Sequence, residues 1–246
     1  MRMIACMLGV ILFGAIPSFA QTPPTPPPAA PLQPQDLTKL STARAPLAPG
    51  PLLNPAPDLS QWTLTSTDVV LPPGEVPNPP VTATVSKTRK IYEVETLISG
   101  QKLVFWCKDI WAAVYLPGTS QPSVSNDSAS HYYIDFSKSD FPELNWISAK
   151  NYKGVAQLGG TKVLVFKSAI PMPTASIVAL THHVPTNAIA LIDLATHRPL
   201  MFQLGGEVLT YQFNRASPNL TLPKDVENAF NSELQRYQMG FPHPSG

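Results

Sequence analysis

The stretch "AIALIDLATHRPLMFQLGGEVLTYQF", residues 188–213, places Asp193, His197, Arg198 and Glu207 among mostly apolar residues. It reads either as a catalytic constellation or as sheet whose polar residues mark its turns. Its spacing favours sheet: "AIALID", "LMFQL" and "VLTYQF" are strand-length runs, separated by "LATHRP" and by the Gly205-Gly206 pair. A two-residue hairpin turn demands positive φ, which glycine supplies without steric penalty. The four polar residues then fall at or beside turns, where they need no chemical role. The stretch is predicted to be an antiparallel meander.

Working outward, the same period of two recurs. In "SHYYIDFS", Tyr132, Ile134 and Phe136 share one face; in "KIYEVETLI", Tyr92, Val94 and Ile98 oppose Glu93 and Glu95. In "VTATV" the apolar positions are Val81, Ala83 and Val85, so the buried parity changes across "SKTRK" and calls for a turn or bulge there. Further strands are expected at 61–70, 102–107, 111–116, 162–167 and 176–184. A short helical turn is expected in "FSKSDFPELNWI", with Ser139 or Asp140 able to cap it. The one longer helix is expected in "PKDVENAFNSELQRYQ", where Pro223 suits a helix start and Val226, Phe230, Leu234 and Tyr237 recur at helical spacing.

Ahead of this domain, Arg2, an apolar run from Met3 to Ile16 and small residues at Ser18 and Ala20 read as a secretory leader over residues 1–20. The run is short of the roughly 20 apolar residues of a spanning helix, so no transmembrane helix is expected once it is removed. Residues 21–57, rich in Pro and Ala, are expected to form a disordered, partly polyproline tether, because proline fixes φ and removes backbone donors. Residues 58–246 make a single antiparallel β-rich domain. Removing Cys6 with the leader leaves Cys107 alone, so no internal disulfide is expected. Of 17 Lys+Arg and 16 Asp+Glu, losing Arg2 leaves 16 against 16, a neutral chain with no basic run. Neither nucleic acid nor an anionic membrane is the expected partner.

The pattern Asp193-x-x-Thr196-x-x-Pro199, followed by an apolar strand, a glycine turn and an aromatic-ended strand, resembles the late hairpins of the periplasmic lipoprotein-carrier (Lol-type) superfamily. The resemblance covers about residues 188–213. It implies an antiparallel, half-closed sheet around a hydrophobic cavity covered by helices, and, in several members, the binding of acyl chains. The Pro-rich segment stands where that superfamily has an early amphipathic helix.

No G-x-S-x-G, H-E-x-x-H, C-x-x-C, phosphate-binding loop or dinucleotide fingerprint occurs. His182-His183 would point to opposite faces of a strand and cannot reach one ion; neither a metal nor a cofactor is expected. The acidic group Asp135, Asp140 and Glu143 is explained by a strand end and a capped turn. In "VFWCKDIWAAVY", Phe105 and Trp106 make the segment apolar on both faces, so two covers are needed.

The expected fold is mainly β: an antiparallel, strongly curved sheet or half-barrel with a C-terminal helix. The expected function is that of a periplasmic or secreted, non-catalytic protein holding a lipid-like group or a hydrophobic partner segment in the cell envelope. Trp106, Trp111 and Phe166 are the candidate apolar lining residues. Two alternatives stand beside it. A scaffold protein would show a filled core and an exposed apolar patch. An envelope glycan hydrolase would set two carboxylates near Asp135 and Asp140 across a groove.

Overall fold

The computed structural model of the protein describes residues 32–98, 100–109, 111–115, 119–125, 136, 138–171, 175–176, 179–180, 185–214 and 219–240. The expected leader, residues 21–31, His131, Asp135, His182 and His183 lie outside the described residues.

The strands are β1 (Ser60–Asp68), β2 (Val81–Thr88), β3 (Ile91–Ile98), β4 (Gln101–Lys108), β5 (Trp111–Val114), β6 (Ser123–Ser125), β7 (Tyr152–Leu158), β8 (Thr161–Pro171), β9 (Ala175–Ser176), β10 (Ala179–Leu180), β11 (Pro185–Asp193), β12 (Pro199–Leu204) and β13 (Glu207–Phe213); the helix α1 (Lys224–Gln238) follows. Eleven strands form one antiparallel sheet in the order β6-β5-β4-β3-β2-β1-β13-β12-β11-β8-β7, and β9 pairs with β10 separately. The sheet is open, with β6 and β7 at its edges. The mainly β, antiparallel architecture with a C-terminal helix is the one the alternation predicts. Its two halves meet where β1 pairs with β13, so Trp62 faces Phe213 across a sequence separation that no local pattern encodes.

The quoted stretch is the β11-β12-β13 meander, and its polar residues stand at or beside its turns. Asp193 Oδ1 accepts the N–H groups of Ala195 (2.9 Å) and Thr196 (2.6 Å) and the Thr196 hydroxyl (2.9 Å), closing the first turn as an Asx motif. His197 takes φ 54° within that turn, and the Arg198 guanidinium lies 5.1 Å from the Phe213 ring centre. Glu207 accepts a hydrogen bond from Ser66 on the neighbouring β1. In the second turn Gly205 takes φ 58°. Gly206 is needed for room, since a Cβ there would stand 2.3 Å from the Val70 carbonyl oxygen. The parity change at "SKTRK" is the tight β2-β3 turn at Arg89-Lys90, with Thr88 opposite Ile91.

Strand alternation separates two faces. One face carries Trp62, Val85, Tyr92, Val94, Cys107, Leu164, Phe166, Ala190, Phe202 and Tyr211 into a single cluster. Its cover is a plug formed by Phe136 and residues 138–147, where Ser139 Oγ accepts the Phe141 N–H (3.2 Å) ahead of a 3-10 turn at Pro142–Leu144. Leu47, Leu52, Leu53 and Ala56 join the same cluster. The opposite face is polar in the middle, at Thr63, Thr84 and Glu93, and apolar at both ends. At one end Trp106, Trp111 and Ala113 pack under Val226 and Phe230 of α1. At the other, Val163, Val165, Ile189, Leu191 and Met201 pack under Leu37, with Leu32 and Leu40 beside it.

Residues 32–57, expected as part of an unpacked tether, thus lie on the sheet as a strap. Proline excludes helix and ladder but leaves an extended chain free to bury its leucines. Side chains and isolated backbone groups supply the missing hydrogen bonds. The Leu37 N–H donates to the buried Gln203 side-chain oxygen (2.5 Å). Ala43 exchanges two backbone hydrogen bonds with Val155 (2.8 and 3.0 Å), covering part of the β7 edge. Gly154 admits that approach, because a Cβ there would lie 2.3 Å from the Ala43 oxygen. The α1 stripe is only half used: Val226 and Phe230 are buried, while Leu234 and Tyr237 remain 42% and 62% exposed.

Leu37 is fully buried, so Leu37→Ala is expected to lower the unfolding free energy by about 3 kcal/mol in urea titration. An unpacked tether would leave stability unchanged.

Candidate functional site

The mouth of the main core is built around Asp140. Its carboxylate accepts the Ala56 N–H (2.8 Å) from the strap and the Tyr92 hydroxyl (2.6 Å) from β3. It also forms an ion pair with Lys87 of β2 (2.9 Å). The Lys87 ammonium donates in addition to the Ala56 carbonyl (2.8 Å). The ion pair is nearly dehydrated, with side chains 12% and 5% exposed. Removing two charges from water is unfavourable unless their remaining donors and acceptors are satisfied, and here both partners are. Burial and the bond to Asp140 push the Tyr92 phenol well above its ordinary range, so it remains a donor. Phe136 stacks on Tyr92, ring centres 4.2 Å apart and 7° from parallel.

This knot forms one wall of a cleft of about 480 Å³ between the strap, the β2-β3 turn and the plug. Its apolar surface comes from Leu53, Pro55, Tyr92, Phe136 and Phe141. Its polar lining is dominated by cations: Lys87, Arg89, Lys90 and Lys138, against the carboxylates of Asp109 and Asp140. Arg89 holds φ 50°, and its N–H donates to Asp58, which fixes the turn that presents Arg89 and Lys90.

The sequence-predicted lining residues do not converge on this cleft. Trp106 and Trp111 lie on the opposite face beneath α1, with Trp111 edge-on to Tyr237 (6.3 Å). Phe166 is sealed in the main core against Tyr152 (5.7 Å). Strand alternation separates Phe166 from the two tryptophans, so the three share no cavity. Of the acidic group, Asp140 is committed to the knot and Glu143 is a buried residue of the plug, bonded by the Tyr211 hydroxyl. The cleft cations were missed because they come from "SKTRK" and "FSKSD", separated by the whole β3-β6 region. The parity change at "SKTRK" marked the turn, and its five polar side chains, three of them cationic, were the available signal.

Among the described residues no group of three His, Cys, Asp or Glu could hold a metal ion, and no described helix is long and apolar enough to cross a membrane.

No family model and no curated protein matches the chain significantly. Among solved structures, the chain is similar to a LolA superfamily protein from Nitrosomonas europaea, with 12% identity, 66% of this chain and 87% of that one covered, and a TM-score of 0.33. It is similar to lipoprotein LppX from Mycobacterium tuberculosis, with 10% identity, 67% and 88% coverage and a TM-score of 0.36. A third is LprF from Mycobacterium bovis, with 8% identity, 68% and 89% coverage and a TM-score of 0.38.

Burial raises the Glu143 carboxyl from 4.5 to about 7, against the opposing hydrogen bond from Tyr211. The fold therefore favours the protonated form. This contribution is complete below pH 4.5 and is lost as the pH rises through about 7. The unfolding free energy is expected to fall by about 3 kcal/mol across that window, and Glu143→Gln to remove most of the slope. An unchanged slope in Glu143→Gln would contradict the assignment.

Proposed function

We propose that this chain is a non-catalytic binding protein of the cell envelope, periplasmic or secreted, that holds a lipid-like group at the mouth of its main core. The observation that carries the reading is the cleft of about 480 Å³ backed by Tyr92, Phe136, Phe141 and Leu53. Its size falls within the range of small-molecule sites, which are typically a few hundred Å³ with apolar walls and a few placed polar groups. Each methylene buried there would contribute about 0.8 kcal/mol. The expected leader and the resemblance in residues 188–213 support the envelope as its setting.

The state of the carboxylates favours binding over hydrolysis. A glycosidase needs one carboxyl free to give a proton and a second free to attack or to activate water. Asp140 has both oxygens engaged by Lys87, Ala56 and Tyr92, and Glu143 is buried away from the cleft lining. A second reading, contact with a partner protein, is favoured by the exposed Leu234, Tyr237 and Met239 on and beside α1.

Native mass spectrometry of the purified chain, with organic extraction of anything bound, tests the proposal. A stoichiometric acyl-chain adduct is expected, and Leu53→Trp, which fills the cleft, is expected to abolish it. A ligand-free mass that persists when acyl amphiphiles are supplied would overturn the lipid reading and leave contact through the α1 patch.

A further inference from the structure

Resting on the lipid-binding reading above, we propose that the cleft selects an amphiphile with an anionic phosphate head. Arg89, Lys90 and Lys138 hold the head, and the apolar part lies on Tyr92, Phe136 and Phe141.

The charge balance of the cleft carries this inference. Four cations and two carboxylates line it, a surplus of two positive charges, whereas the entire chain has a formal net charge of only +1. The surplus is therefore local. Its members are not equivalent. Lys87 is bound to Asp140 and the Ala56 carbonyl inside the knot, so its charge is already compensated. Arg89, Lys90 and Lys138 are exposed, and among the described residues none of them is within ion-pair distance of a carboxylate. Asp109 is the remaining acid in the lining. Asp58, next to the turn, has an oxygen committed to the Arg89 backbone N–H.

Position adds to charge. Arg89 and Lys90 form the β2-β3 turn and Lys138 belongs to the plug, so two separate parts of the chain bring cations to one opening. Beneath them lie the stacked Tyr92 and Phe136 rings. Cations of one sign above a low-dielectric floor concentrate the field and attract anions. A guanidinium can grip two phosphate oxygens at once, and ammonium groups add unspecific attraction. A zwitterionic head would bring its own cation into that field, and a neutral head would gain nothing from it. The aromatic floor is of no use to free phosphate, so a chain attached to the anion should strengthen binding.

The test titrates dodecyl phosphate, dodecylphosphocholine and inorganic phosphate, each below its micellar range, into the full chain by calorimetry. The same ligands are titrated into the combined variant Arg89→Asn, Lys90→Ser and Lys138→Ser. Asn is chosen because it tolerates the positive φ at position 89. Dodecyl phosphate is expected to bind about tenfold or more tightly than dodecylphosphocholine, to weaken as salt rises, and to lose that margin in the variant. Lys138→Ser alone, at an exposed position outside the sheet, is expected to lose part of it and guards against a combined variant that fails to fold. Equal binding of the two dodecyl ligands, or a margin that survives in the variants, would overturn the head-group inference and leave the lipid reading intact. Inorganic phosphate binding as tightly as dodecyl phosphate would overturn the amphiphile and mark a site for the free anion. No binding of any of the three would overturn both.

Discussion

The buried pairing of Lys87 with Asp140 is the constraint on which the cleft end of the molecule depends. It joins three segments that no ladder connects: the strap through the backbone of Ala56, the β2-β3 hairpin through Lys87 and Tyr92, and the plug through Asp140 itself. An ion pair this dry is no automatic source of stability, since dehydration opposes the attraction. Its value here is positional. With one arrangement satisfying every partner, the strap and plug are set against the sheet in one way, and the cleft acquires fixed walls.

That knot completes a wider solution to a problem posed by the composition of the strands. Several are apolar on both faces, as at Phe105 and Trp106, or at Val165 and Phe166. Such a sheet requires cover on both sides, and one helix covers only the end around Trp106 and Trp111. The strap covers the other end of that face through Leu37 and then reaches the main core through Leu47, Leu52, Leu53 and Ala56. The plug closes the remaining area with Phe141 and Leu144. The cleft lies where strap, plug and hairpin turn meet, so it is a by-product of how the core is sealed.

The parts legible in the sequence are those set by local periodicity. Alternation located β1 to β5, β8 and the β11-β12-β13 meander but not the short β6 or the small-residue strand β7; the glycine pair at 205–206 located the hairpin, and Pro223 located the start of α1, whose N-cap it occupies. The parity change at "SKTRK" located the β2-β3 turn. The strap was not legible because its buried leucines follow neither period, and its prolines argue against regular structure without arguing against packing. The cleft was not legible because Lys138 meets Arg89 and Lys90 only after the four strands between them, β3 to β6, are in place. Trp106, Trp111 and Phe166, chosen by residue type, fall in two different clusters: alternation fixes which face a residue takes, but not what covers that face.

The central claim is that the strap is locked to the sheet through Asp140. Native-state hydrogen exchange at the Ala56 amide measures this directly, because that N–H donates to Asp140 and to nothing in a regular ladder. The account predicts protection comparable to the β2 and β3 amides, lost at once when Asp140 is replaced by Ala. Exchange of Ala56 at the rate of a free peptide in the unaltered chain would show that the strap is not held, and the cleft would lose its wall.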